Sequence, residues 1–149
     1  MKIYWYFFKY GYILRFMRAS EECRLLTKRE IETQQLEMNM KKVGMIRCQQ
    51  TEDMCPGTTD FKVAKGGKLA FDGIGPSEVV GFVSCGGCPG KRAVGRAEIM
   101  VERGAEVIAF VSCISRGNPI GYPCPHYANM RDAVIKAIGP DIEILEWTH

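Results

Sequence analysis

The sequence has 149 residues, of which 46% are apolar and 25% charged, and its formal net charge is +3. This composition is typical of a soluble globular protein that is long enough to bury a core. The basic excess lies in residues 1–39, so residues 40–149 are almost neutral. That balance argues against a nucleic-acid-binding protein, because such proteins usually carry a clustered basic face.

The first 39 residues differ in character from the rest. Residues 1–17 are rich in aromatic side chains, but Lys9 and Arg15 interrupt them, and they fall short of the roughly 20 apolar residues that a membrane span needs. Residues 20–39 have a helix-forming composition, and Met40 with two lysines before a strand resembles a bacterial start. We expect residues 1–39 to be an N-terminal extension, either a start site assigned too far upstream or a helical arm.

Residues 40–149 alternate strand and helix patterns, and form the predicted domain. The predicted strands are residues 43–48, 78–85, 106–113 and 142–147, and the predicted helices are residues 60–69, 91–103 and 126–138. Continuous runs of β-branched and aromatic residues are typical of buried parallel strands. This order predicts an α/β fold: a small, doubly wound, mainly parallel four-stranded sheet with helices on both faces.

Seven cysteines are many for a chain of this length. A secreted protein would use them as a disulfide framework. A domain that can build its own hydrophobic core does not need disulfide bonds for stability. These cysteines also fall at strand ends and helix starts, where ligand-binding residues lie. We therefore expect a reduced, cytoplasmic setting.

Two nearly identical octets end in cysteine: EVVGFVSC at residues 78–85 and EVIAFVSC at residues 106–113. Cys85 and Cys113 should therefore occupy equivalent places, about 4.8 Å apart if their strands pair. Cys48 ends the first strand. Open α/β sheets bind ligands beyond the carboxyl ends of their strands, so the three cysteines are predicted to share a site there.

The loops after these strands add further donors. Cys85 and Cys88 form a C-x-x-C whose two glycines free the backbone for a tight turn. That spacing recurs in zinc sites and in redox sites. Cys124 and His126 supply a thiol and an imidazole, both good zinc donors. The prolines that follow Cys88 and Cys124 make these cysteines candidate N-caps, because proline favours the first position of a helix.

Each of these residues also has an ordinary structural interpretation. Cys48 and Cys113 would serve as small apolar residues at the ends of buried strands. Cys55 lies in a Cys-Pro-Gly sequence that also makes ordinary turns, and His126 could be a solvated residue at a helix start. No Ser-His-Asp or paired-carboxylate arrangement stands out.

The chain resembles the CGGC domain family in residues 41–149. The resemblance rests on the central CGGCPG at residues 85–90, on Arg47 and Cys48 with the later Cys-Pro-Gly, and on the Cys-Pro-His at residues 124–126. The cysteines and histidines of that family, found mostly in anaerobic bacteria and archaea, are taken to suggest zinc binding. Carried over by motif, the resemblance implies a metal site made from Cys48, Cys55, Cys85, Cys88, Cys113, Cys124 and His126.

Three hypotheses follow from the sequence. The first is a metal-binding protein that holds zinc or, since the thiols exceed the four ligands of one structural zinc, an iron–sulfur cluster. The second is a thiol–disulfide oxidoreductase that uses Cys85 and Cys88. The third is a structural domain whose metal only stabilises the fold.

Overall fold

The computed structural model describes residues 30–31, 33 and 40–149. The chain divides into two units, Met1–Asn39 and Met40–His149, and the second is described below. The predicted N-terminal extension, with Cys23, lies almost wholly outside the described residues. In the part of the chain that is described, no helix is long and apolar enough to cross a membrane.

Residues 40–149 form a four-stranded parallel sheet with helices between the strands, which confirms the predicted α/β fold. The strands are β1 (Lys41–Arg47), β2 (Ser77–Ser84), β3 (Val107–Phe110) and β4 (Glu143–Leu145). The α-helices of this region are α1 (Thr58–Gly66), α2 (Lys91–Glu102), α3 (Ser112–Ser115) and α4 (Tyr127–Ile138). Short 3-10 turns cover Gln49–Thr51 and Leu69–Phe71.

The strand order in the sheet is β2-β1-β3-β4. The connection after β1 therefore leads to one edge of the sheet, at β2, and the connections after β2 lead towards the opposite edge, at β4. Because parallel crossovers are right-handed, this reversal places α1 on one face and α2 and α4 on the other. Helices α2 and α4 also pack on each other. The topological switch lies between β1 and β3, and α/β sheets of this kind bind ligands at that point.

The core lies along the two central strands. Val43, Met45 and Ile46 of β1 are fully buried, as is every residue of Val107–Phe110. Gly44 lets α2 approach β1 closely, since a Cβ there would lie 2.7 Å from the sulfur of Met100. Burial on both faces explains why these strands read as continuous apolar runs rather than as alternating patterns.

The two matching octets do not pair with each other, because β1 lies between them. Val43 of β1 is aligned with Val79 on one side and with Val107 on the other, which are equivalent positions in the octets. A bulge in the β1–β2 ladder then shifts the register, so Gly44 lies opposite Gly81 and Ile108, which are not equivalent. A bulge places one extra residue in one strand and changes its direction.

The octets also end differently, so the predicted equivalence of Cys85 and Cys113 is wrong. Cys85 follows the last residue of β2 directly, whereas β3 ends at Phe110 and Cys113 lies in helix α3. The turn into α3 has a physical cause: the Ser112 hydroxyl accepts hydrogen bonds from the backbone amides of Thr148 and His149. No such partner meets Ser84, whose oxygens accept hydrogen bonds from Arg96 in α2.

Candidate metal centre

Three cysteines meet at the carboxyl edge of the sheet, as predicted. Cys48 and Cys85 follow β1 and β2 directly, and Cys113 lies three residues beyond β3. The backbone amide of Cys85 donates to the carbonyl of Arg47 at 2.7 Å. The amide of Cys48 donates to the sulfur of Cys113 at 3.1 Å. These two bonds tie the ends of three strands together around the sulfurs.

The CGGC loop returns Cys88 to the same edge. Gly86 and Gly87 both have left-handed backbone conformations, with φ of 80° and 88°, which confirms that the turn depends on glycine. A Cβ at Gly86 would also lie 2.5 Å from the side chain of Arg92. Cys85 is buried and Cys88 is exposed, so the two thiols of the motif differ sharply in access to solvent.

Cys124 arrives from the loop before α4. Its backbone amide donates to the carbonyl of Ile114, in helix α3, at 2.8 Å. Helix α3 also carries Cys113, so this hydrogen bond places the two cysteines of the C-terminal half beside each other. The cysteine is half-buried.

Two adjoining cavities lie among these thiols, with volumes of about 310 Å³ and 150 Å³. The larger cavity includes Cys85 in its wall and the smaller one includes Cys113. Four residues line both cavities: Cys48, Gln50, Cys88 and Cys124. Five cysteines from four segments of the chain therefore surround one divided space.

Two predicted ligands are not part of this wall. Cys55 is half-buried in the loop before α1, where its amide donates to the carbonyl of Thr51, and it lines neither cavity. His126 is half-buried and also lines neither. It precedes α4 as its N-cap residue. The structure brings together five of the seven predicted residues and leaves these two apart.

The prediction that Cys88 and Cys124 cap the following helices is wrong. Helix α2 begins after Gly90 and helix α4 after His126. In both segments one residue follows the proline and takes the N-cap position, Gly90 before α2 and His126 before α4. Each cysteine therefore lies two residues before the N-cap, and both line the cavities.

Burial sets the protonation of the inner thiols. It raises the pKa of Cys48, and the neighbouring thiols of Cys85, Cys113 and Cys124 raise it further when charged, against a lowering hydrogen bond from the Gln50 backbone. Burial likewise raises the pKa of Cys113, against hydrogen bonds from Cys48 and Thr51 that lower it. Both thiols are therefore held protonated at neutral pH when no metal is bound.

These shifts predict a pH dependence for the metal-free protein. A thiol whose pKa is higher in the folded state than in the unfolded chain stabilises the fold below its unfolded pKa of about 8.5. That contribution is lost as the pH rises through the folded-state value. We expect the free energy of unfolding to fall from pH 8 to pH 10.5 in urea titrations with chelator present. A Cys48→Ala, Cys113→Ala double variant should show a weaker decline, and an identical decline would contradict the assignment.

The donor set suits zinc or an iron–sulfur cluster, since both are held by cysteine thiolates. Within the described residues, no three Cys, His, Asp or Glu side chains are already grouped as a metal site. The five thiols line cavities that have room for a metal ion, and thiol is the donor type that such a centre uses.

A polar network beside Cys113 was not predicted from the sequence. Asp60 of α1 is fully buried, and its Oδ1 accepts hydrogen bonds from Thr148 Oγ1 at 2.5 Å and from His149 Nδ1 at 3.1 Å. The Ser112 hydroxyl donates to the carbonyl of His149 at 2.7 Å. No local sequence pattern marks this network, because Asp60 and His149 lie 89 residues apart in the chain.

Comparisons with known proteins identify the family to which residues 40–149 belong. The family model described as CGGC domain matches residues 42–149. An uncharacterized protein of the archaeon Methanocaldococcus jannaschii is 34% identical over 109 residues, which cover 69% of this chain and 80% of that protein. No solved structure matches. The chain belongs to the CGGC domain family.

Proposed function

We propose that residues 40–149 are a metal-binding domain whose ligands are the thiolates at the carboxyl edge of the sheet. The ligands would come from Cys48, Cys85, Cys88, Cys113 and Cys124. One observation carries the proposal: five thiols from four separated segments line two cavities that share Cys48, Cys88 and Cys124. A buried thiol needed only for packing would have no reason to face a cavity with four others.

The bound group would be a metal ion or an iron–sulfur cluster that joins the cysteine-bearing segments through its bonds to their thiolates. Zinc has four thiolate ligands in a closed structural site, and an iron–sulfur cluster likewise takes four cysteines. Zinc is our first choice, because the family resemblance suggests it, with the cluster as the alternative. Cys55 and His126 remain predicted ligands from the sequence motif, although they lie outside the cavity wall.

The different exposure of the two C-x-x-C thiols, buried for Cys85 and exposed for Cys88, favours metal binding over thiol–disulfide exchange. In a redox pair of this kind the first cysteine is expected to be the exposed attacker. Here the first, Cys85, is 7% exposed and the second is the accessible one. Exchange also gives no role to Cys48, Cys113 and Cys124, which a metal centre employs.

The test is to purify the full chain without oxygen and measure bound metals by mass spectrometry beside its visible absorption spectrum. We expect about one equivalent of zinc in a colourless protein. A broad visible band with bound iron would select the cluster alternative within the same proposal. Metal-free protein that binds neither zinc nor iron on reconstitution, yet catalyses thiol exchange, would overturn the proposal in favour of the redox function.

A further inference from the structure

Two charged side chains are buried among the described residues, Arg47 and Asp60. Asp60 is bound by the Thr148 hydroxyl and the His149 ring. Arg47, the last residue of β1, is 9% exposed, and it makes no ion pair with any acidic residue in the part of the chain that is described. A buried charge without a partner is costly, so the cation at Arg47 calls for an explanation.

The guanidinium of Arg47 is held by neutral groups only. Its Nη2 donates to the carbonyl of Thr51, and its Cζ lies 5.4 Å from the ring centroid of Phe82. A carbonyl and an aromatic face orient a cation and return part of its lost hydration. Neither one supplies a negative charge to balance it.

The contacts of Arg47 fix it beside the thiols. Thr51, fully buried, also donates through its hydroxyl to the carbonyl of Cys48 at 2.9 Å. Arg47 precedes Cys48 in the chain, and its own carbonyl accepts the hydrogen bond from the amide of Cys85. Both buried charges act on the pKa of Cys113: Asp60 raises it and Arg47, with the smaller effect, lowers it. Arg47 is therefore linked to Cys48 and Cys85 through its backbone and through Thr51, which binds both the guanidinium and the carbonyl of Cys48.

We propose that Arg47 is the counter-charge of the metal centre, placed to balance the negative charge that the thiolates acquire when they bind metal. This inference rests on the proposed function. A divalent zinc ion with four thiolate ligands carries two net negative charges, and that excess must be stabilised at a partly buried site. Arg47 is then a positioning residue that acts on metal affinity through charge and does not touch the metal.

The test compares two substitutions that separate charge from hydrogen bonding. Arg47→Gln keeps an N–H donor for the Thr51 carbonyl and removes the charge, whereas Arg47→Lys keeps the charge on a chain of similar length. Zinc affinity of the full chain is measured by competition with a chromophoric chelator at pH 7. We expect Arg47→Gln to weaken zinc binding about 10- to 100-fold, as outer-shell substitutions at metal sites do, and Arg47→Lys to lose no more than about threefold.

Unfolding of the metal-free proteins supplies the second readout. Removing an unbalanced buried charge should leave the free energy of unfolding of Arg47→Gln unchanged or raised, although its zinc affinity falls. A purely structural arginine would lower both together, and that result would overturn the inference. Arg103→Gln, at an exposed position beyond the end of α2, should change neither quantity.

The remaining outcomes are also decisive. Equal zinc affinity in wild type and Arg47→Gln would refute the role of Arg47 while leaving the metal centre intact. Equal losses in the Gln and Lys variants would likewise refute it, since charge would not matter. Absence of both zinc and iron binding in the wild type would overturn the proposed function and this inference with it. Should Arg47→Gln fail to fold, Arg47→Met carries the same comparison against Arg47→Lys.

Discussion

Replacing Asp60 with alanine is expected to destabilise the metal-free domain by about 3 kcal/mol, because hydrogen bonds to a charged group each contribute roughly 1.5–3 kcal/mol. The Asp60 carboxylate is fully buried and accepts from both Thr148 and His149. Its loss would remove the acceptor that these two donors share and leave them only the longer contacts of Thr148 Oγ1 with Ser112 Oγ and His149 Nδ1, both 3.2 Å. Because the same residues pin the end of the chain to the turn into α3, the position of Cys113 should loosen with them.

Urea denaturation followed by far-UV circular dichroism measures this effect, with chelator present so that metal does not contribute. Asp53→Ala is the matched control, since Asp53 is exposed and the same substitution there should change stability by less than about 0.5 kcal/mol. Asp60→Asn keeps the shape and one acceptor oxygen, and should fall between the two. Equal stability of Asp60→Ala and Asp53→Ala would show that the network does not hold the chain end.

The sequence was sufficient to predict the sheet and the approximate ends of most of its strands and helices, because the signals for these elements are local. Continuous apolar runs marked β1 and β3. The helix predicted over residues 60–69 begins two residues earlier and ends at Gly66, because Gly67 has a left-handed conformation with φ of 57°. The helix predicted over residues 126–138 begins one residue later and ends at the same place. Such patterns reflect burial and backbone freedom, which each segment carries in itself.

The sequence was misleading where neighbouring strands decide the outcome. The two octets differ at two positions, yet β2 takes a bulge at the edge of the sheet while β3 lies at its centre and turns early into a helix. Edge strands tolerate bulges because one side of the ladder is free. No property of the octets themselves distinguishes these two environments.

The buried network was hidden for a different reason. Asp60 and His149 are separated by 89 residues in the chain, and single polar residues at such separations carry no periodic pattern. A lone aspartate in a helix is usually a solvated residue, so nothing in α1 marked Asp60 as buried. The thiols were easier to predict, because spacing such as C-x-x-C restricts the positions of two donors at once.

Cysteine substitutions at the cavity wall should have the largest effect on the function. We expect Cys48→Ser and Cys85→Ser each to lose most of the bound metal on purification, and to lower the melting temperature of the metal-loaded protein. A hydroxyl is a far poorer zinc donor than a thiolate, and the free energy of metal binding is coupled to folding at such sites. Cys48 should be the more damaging change, because this residue lines both cavities whereas Cys85 lines only the larger one.

Cys55→Ser provides the matched control within the same domain. Cys55 is half-buried like Cys48 but lines neither cavity, so the geometry predicts normal metal content, whereas the motif resemblance predicts a loss. For His126→Ala, too, the geometry predicts normal metal content and the motif resemblance predicts a loss.

Metal analysis of the four variants against wild type, with thiol-exchange rates measured in parallel, therefore tests which residues are ligands and which are not. Normal metal in Cys48→Ser and Cys85→Ser would refute the thiolate centre. Loss of metal in those two alone would restrict the ligands to the cavity wall, since serine removes the thiolate while leaving the fold of β1 and β2 in place.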